Sequence, residues 1–166
     1  MLETKQESGF EFVKAGKFSL SDTPCQLKNY TLTVKLDLYI QDFEKADETA
    51  YFITCEDKIV YVGEYTYNLK DRWLTRMHAN HHMHDNIENS LEAEKQLYLW
   101  LCISPYCDIA GEGKLNISKS LEQKIMNVRK PEWNKRNKNS EAKEWREEHC
   151  KSVTDILKEH NTQILV

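Results

Sequence analysis

With 166 residues, 40% of them hydrophobic and 30% charged, the chain is long enough for one domain with a buried core and too short for two large ones. Only five Gly and three Pro exclude collagen-like and linker-rich architectures, and no apolar run approaches the roughly 20 residues of a membrane-spanning helix. The net charge of −4 argues at face value against a polyanionic partner, but the charge is segregated along the chain. Residues 1–57 carry six lysines and eleven acids, whereas residues 119–138 carry seven bases and two acids; such segregation can mark a local footprint for phosphates, although a solvated face is the commoner explanation. Met1–Glu7 has neither a basic start nor an apolar core, so no secretory signal is expected. Cys25, Cys55, Cys102, Cys107 and Cys150 are odd in number and lack framework spacing, as expected for reduced thiols in a cytoplasm.

Apolar residues fall at every second position from Leu32 to Ile40, which predicts a strand over 30–40 with one wet face. Two β-rich runs, Ala50–Thr54 and Ile59–Gly63, flank Cys55-Glu56-Asp57-Lys58 and predict a hairpin with a charged tip. A three-residue connection would put Tyr51 and Tyr61 on the same face of it, and a two-residue connection on opposite faces. From Asn68, a plausible N-cap, the period changes: Leu69, Trp73 and Met77 recur every four residues with Arg72 and Arg76 beside them, an amphipathic helix with two guanidinium groups one turn apart. A short helix over about 87–95 then precedes a continuous apolar run, Gln96–Ile103, that suits a strand buried on both faces; one long helix is the alternative. Ser118 can cap a helix reaching about Arg129, and Pro131 stops it. A last helix is expected over 141–160, with Trp145, Val153, Ile156 and Leu157 inward.

Projected at about 100° per residue, the helix after Ser118 gathers Leu121, Glu122, Ile125, Met126, Val128 and Arg129 on one side. Glu122 therefore lies within an apolar stripe, where a carboxylate needs a compensating cation. Arg129, on the same stripe, could supply it as an ion pair; a bound metal ion is the alternative.

Five segments in order, Thr49-Ala50-Tyr51-Phe52-Ile53, Val60-Tyr61-Val62-Gly63, the Arg72 helix, Leu121-Glu122-Gln123-Lys124-Ile125 and Lys130-Pro131-Glu132-Trp133-Asn134, together resemble the GIY-YIG nuclease family, most closely in the style of its small phage and restriction endonucleases. Each segment is a weak pattern and the ordered set is specific; it covers residues 49–134, about half of the chain. The resemblance implies an α+β fold in which a three-stranded antiparallel sheet, here with added N-terminal strands, is flanked by helices. It also implies one domain over 1–166, with the nuclease core at 49–134, a β extension at 1–48 and a helical extension at 135–166.

By position, Tyr51 and Tyr61 match the two family tyrosines, Arg72 the helix arginine, Glu122 the single metal-binding glutamate and Asn134 the closing asparagine. The implied activity is hydrolysis of DNA phosphodiester bonds with one Mg²⁺ or Mn²⁺ on Glu122. Arg72 would bind phosphoryl oxygens, Tyr61 or else Tyr51 would take a proton from the attacking water, and Asn134 would orient a tyrosine-bearing strand. Substrate contacts are expected from Arg76, His78, Lys130, Trp133 and Lys135. Both tyrosine hydroxyls and the Glu122 carboxylate are expected on one side of the sheet.

Thr49 and Ala50 depart from the family Gly and Ile, and Arg76 stands where many members have a histidine; arginine can bind phosphate but cannot act as a base. His78, His81, His82 and His84 offer imidazoles, which with Cys102 or Cys107 would be a zinc set, but no pair has a recognised zinc spacing and a polar, DNA-facing loop is expected. A rival reading is a catalytically weak or inactive nucleic-acid- or protein-binding module on the same fold. A double-strand cut would need a homodimer or two encounters. The sequence does not separate DNA from RNA.

Overall fold

The computed structural model describes residues 2–27, 30–75 and 83–134. Arg76, His78, Lys135, the basic residues beyond 134 and the helix expected over 141–160 lie outside the described residues. The fold is α+β. Its main sheet is antiparallel and six-stranded: β1 (Thr4–Glu7), β2 (Phe10–Leu27), β3 (Tyr30–Leu38), β4 (Thr49–Cys55), β5 (Lys58–Tyr65) and β6 (Leu97–Cys102). The order is β1-β2-β6-β4-β5, with β3 pairing a further stretch of the long β2. The strand read over 30–40 and the hairpin over 50–63 are thus both present, and β4, β5 and β6 form a three-stranded unit.

The continuous apolar run of β6 has a physical reason: the strand is central, between β2 and β4, and is covered on both faces. Leu97, Leu99 and Leu101 enter one core layer with Phe18, Tyr51 and Ile53. Trp100 and Cys102 enter the other, with Phe12, Phe52 and Val62. Helix α1 (His84–Glu92) contributes Ile87 to the first layer, as do Leu69 and Trp73 from the segment after β5. Helix α2 (Ser118–Arg129) contributes Leu121 and Ile125 to the second, each worth about 1.5–3 kcal/mol of transfer from water.

The structure corrects four details of the sequence reading. The segment after Asn68 is one π turn, Lys70–Thr75, in place of an α-helix. Its smaller angular step between neighbours lets Trp73 bury fully while the adjacent Arg72 also reaches the core. A hairpin that the sequence did not announce, β7 (Tyr106–Ile109) and β8 (Gly113–Asn116), leads into α2.

Helix α2 is capped by Asn116, whose Oδ1 accepts the Ser118 N–H at 2.8 Å while its Nδ2 donates to the Glu48 carbonyl at 3.2 Å; the Ser118 side chain is buried instead. Val128 is exposed, and so is Arg129, because the sheet face covers only the Leu121–Ile125 row and the projected stripe is wider than that row. Arg129 does not pair with Glu122: its Nη2 and Nε lie 2.8 and 3.0 Å from Glu7 Oε2.

Candidate active site

The hairpin of β4 and β5 decides where the two tyrosines point. Its connection has two residues, Glu56 and Asp57, with Glu56 in the left-handed region at φ 52°, and on its own it would place Tyr51 and Tyr61 on opposite faces. The pairing then slips by one residue: Thr54 faces Ile59, but Ile53 faces Tyr61. Val60 is thereby an extra residue, a β-bulge, and it returns Tyr61 to the face of Tyr51.

The bulge sits on the outer edge of the sheet and is held from outside. Trp133 N–H donates to the Val60 carbonyl at 3.0 Å, and Asn134 takes both backbone groups of Val62, accepting its N–H at 2.9 Å and donating to its carbonyl at 2.8 Å. Asn134 Nδ2 also donates to the Met126 thioether Sδ at 3.3 Å, which ties the segment to α2. An ion pair of Lys58 with Glu132 at 3.0 Å closes the same seam. Three to five residues after the helix end, these contacts extend the sheet beyond β5 without a further strand.

Tyr51 lies fully buried, with Tyr61 at 6.1 Å, Tyr65 at 6.0 Å and the edge of Trp73 at 5.5 Å between ring centroids. Its hydroxyl crosses the β5 backbone at Gly63, where a Cβ would stand only 2.6 Å from Tyr51 Cζ and Oη. Gly63 is therefore required by close approach and not by its backbone angles. Arg72 Nε donates to Tyr51 Oη at 3.1 Å. Tyr51 and Arg72 both also act on the Tyr61 hydroxyl, by charge and by hydrogen bonding.

Burial pushes the Tyr51 hydroxyl well above the ordinary tyrosine range, and Tyr61 adds to this while Arg72 opposes it. Burial also raises Tyr61, with Arg72 and the Tyr51 hydrogen bond pulling it back. Arg72 is disfavoured as a cation by its burial, but the two tyrosines outweigh that, and it stays charged.

Glu122 approaches from elsewhere. Its helix packs through Leu121 and Ile125 on the core layer opposite to the one that holds the tyrosine rings. Because β5 is the edge strand, the two faces communicate around it, and the charge of Glu122 is felt at Tyr61 and Arg72. Its carboxyl is pushed up to about 7, chiefly by burial and next by the charge of Glu64, while Arg72 and Lys119 oppose the rise. Among the described residues, no ion pair and no hydrogen bond reaches the half-buried Glu122. An orphaned carboxylate of this kind, with a second one near it, fits a hard divalent cation that takes oxygen ligands.

Tyr51, Tyr61, Arg72 and Glu122 are thus brought into one electrostatic neighbourhood, and Asn134 supports the strand that carries Tyr61. Trp133 is half-buried against the core layer of the tyrosines, and Lys130 is exposed at the left-handed C-cap of α2, at φ 47°. Glu64 was missed from the sequence; strand alternation from Val62 would have found it. A separate cluster, His84, Asp85 and Glu88, lies at the start of α1, which packs on β2, β3 and β6, away from the β5 edge.

No protein-family model matches the sequence, and no curated protein matches it either. One solved structure is similar. It is that of bacteriophage T4 EndoII in a mutant form, at 16% identity and a TM-score of 0.49, covering 75% of this chain and 92% of that chain. Among the described residues, no helix is long and apolar enough to cross a membrane.

Proposed function

We propose that the chain is a metal-dependent endonuclease of the GIY-YIG type that hydrolyses DNA phosphodiester bonds, with residues 49–134 as its core and 1–48 and 135–166 as extensions of a single cytoplasmic domain. The observation that carries this reading is the meeting, at the edge of β5, of two buried tyrosines, a guanidinium group and a half-buried carboxylate that has no ion pair among the described residues. The five-segment order found in the sequence supports it independently.

Glu122 would hold the Mg²⁺ or Mn²⁺. Bound there, the cation would supply Lewis-acid stabilisation of charge on the phosphoryl and leaving oxygens. Arg72 has five N–H donors, of which the tyrosines use only part, and the remainder suit the non-bridging oxygens of a phosphodiester. Tyr61 is the proton acceptor for the attacking water: burial raises its hydroxyl, and Arg72 together with the bound cation would favour the deprotonated form that the task needs. Tyr51 is too deeply buried for that task and instead aims Arg72. Asn134 and Trp133 hold the bulge that turns Tyr61 into place.

Incubation of the protein with supercoiled plasmid and Mg²⁺ tests this reading. Nicked or linear product that disappears on chelation is expected; tight DNA binding without any cleavage would favour the binding module. Because one such site breaks one strand, linear product would require a dimer or two successive encounters.

A further inference from the structure

β1 and β2 are joined by Ser8 and Gly9, both in the left-handed region at φ 54° and 88°, the backbone of a two-residue hairpin turn that follows the strand twist. Glu7 closes that turn opposite Phe10, so the two side chains share a face of the ladder. Phe10 packs against the core layer of Leu121 and Ile125. The turn therefore carries a carboxylate inward at the last turn of α2, where Glu7 is only 3% exposed.

A charge hidden to that degree needs a partner, and α2 supplies it. Arg129 places Nη2 and Nε at 2.8 and 3.0 Å from Glu7 Oε2, and Ser8 Oγ donates to Oε1 at 3.1 Å. Lys124 Nζ donates to the Ser8 carbonyl at 3.4 Å. Projected at about 100° per residue, Arg129 and Lys124 lie on opposite sides of the row of Leu121 and Ile125, and Glu122 lies on the side of Arg129. A helix seated on a sheet by one row of side chains can roll about its own axis. Ties on both sides of the row oppose the roll. A roll of about 15° carries a side-chain end about 5–6 Å from the axis through about 1.5 Å, against a tolerance of about 0.5 Å for a ligand or catalytic group. The contact of Asn134 with Met126 Sδ is a further lateral tie, but a thioether is a weak acceptor.

Apolar side chains of similar bulk would hold the hairpin and the helix together as well as this buried pair does. A guanidinium on a carboxylate adds a fixed direction. We propose that Glu7 and Arg129 are positioning residues, through which the N-terminal hairpin sets the roll of α2 and so the direction in which Glu122 presents its carboxylate. This rests on the reading of Glu122 as a metal ligand. It gives the β extension at 1–48 a task in the site without any contact to substrate.

The double variant Glu7→Leu/Arg129→Met separates direction from stability. Full-length proteins are compared by Mn²⁺ binding without DNA, read by electron paramagnetic resonance of the free ion, and by thermal melting in chelator; all carry His84→Ala, which removes the separate cluster on α1. The double variant is expected to melt within 5 °C of the parent and to bind Mn²⁺ at least tenfold more weakly. Arg129→Lys, which keeps the charge and loses the planar grip, is expected to bind about threefold more weakly, and Glu122→Gln not to bind. A double variant that binds Mn²⁺ within twofold of the parent, while Glu122→Gln does not bind, overturns the positioning role and leaves Glu122 as a ligand. If the double variant melts more than 5 °C below the parent, Arg129→Lys decides, and binding equal to the parent's overturns the role. If Glu122→Gln binds like the parent, or the parent does not bind, the metal reading and the positioning role fall together.

Discussion

Replacing Glu122 by Gln should stabilise the fold while abolishing cleavage, and the sign follows from its surroundings. The carboxyl has an ordinary value of 4.5 and is pushed up to about 7 in the folded chain, chiefly by burial and then by Glu64. Between those values the folded state holds more protons than the unfolded state, so stability falls as pH rises from about 4.5 through about 7 and the whole penalty is present above that. The span corresponds to a ceiling of about 3 kcal/mol, which solvent access to the half-buried carboxylate reduces to about 1 kcal/mol.

Gln keeps the shape and removes the charge. At pH 8 in chelator its Tm should therefore exceed that of the parent by about 2–4 °C, and the gain should vanish near pH 4.5. Adding Mg²⁺ should raise the Tm of the parent and leave that of the variant in place. A variant less stable than the parent at pH 8, or one whose gain does not change with pH, would refute the uncompensated carboxylate.

Gly63→Ala should cut activity without unfolding the protein, since its Cβ would meet the Tyr51 hydroxyl at 2.6 Å and push that ring away from Arg72; circular dichroism beside a cleavage assay checks this. The two tyrosines should separate by readout. Tyr51→Phe leaves the Arg72 Nε without its acceptor and should cost about 1–3 kcal/mol in denaturant unfolding, whereas Tyr61→Phe should lower the single-turnover cleavage rate about 10²-fold, beyond what any loss of stability explains. Asn134→Ala frees both backbone groups of Val62 and should cost about 2 kcal/mol, with faster amide exchange along β5 by hydrogen-exchange mass spectrometry. Equal exchange in the two proteins would remove Asn134 from the support of that strand.

Much of the fold was legible where one pattern dominated. The alternation from Leu32 to Ile40 gave β3, and the unbroken Gln96–Ile103 run gave a central strand, because burial on one or two faces writes itself directly into residue order. The segment Tyr106–Asn116 has no such alternation; β7 is exposed along its length, and so is β8 up to Leu115, so its hairpin left little hydrophobic signal. Other features depend on contacts distant in sequence. Asn116 displaced Ser118 as the cap because β8 delivers it beside both the helix start and Glu48. The bulge at Val60 could not be read from the hairpin itself, since it is held by Trp133 and Asn134, more than 70 residues later.

The candidate site divides in the same way. Residue types in order pointed to Tyr51, Tyr61, Arg72 and Glu122, but not to the faces from which they approach. Projection of one helix assigned Glu122 inward without naming what it meets; its neighbour Glu64 comes from a strand some 60 residues earlier, and Arg129 turned to Glu7. Tertiary pairing decides which of several charged residues remains uncompensated, and that choice carries the chemistry.

The central claim, that Glu122 and Arg72 serve phosphodiester cleavage, is tested most directly by single-turnover cleavage of plasmid DNA in Mg²⁺ by the parent, Glu122→Gln and Arg72→Ala, each shown to be folded. Metal-dependent cleavage by the parent and a loss of at least 10²-fold in each variant is the predicted result. Cleavage that persists in Glu122→Gln at the parent's rate would contradict the account.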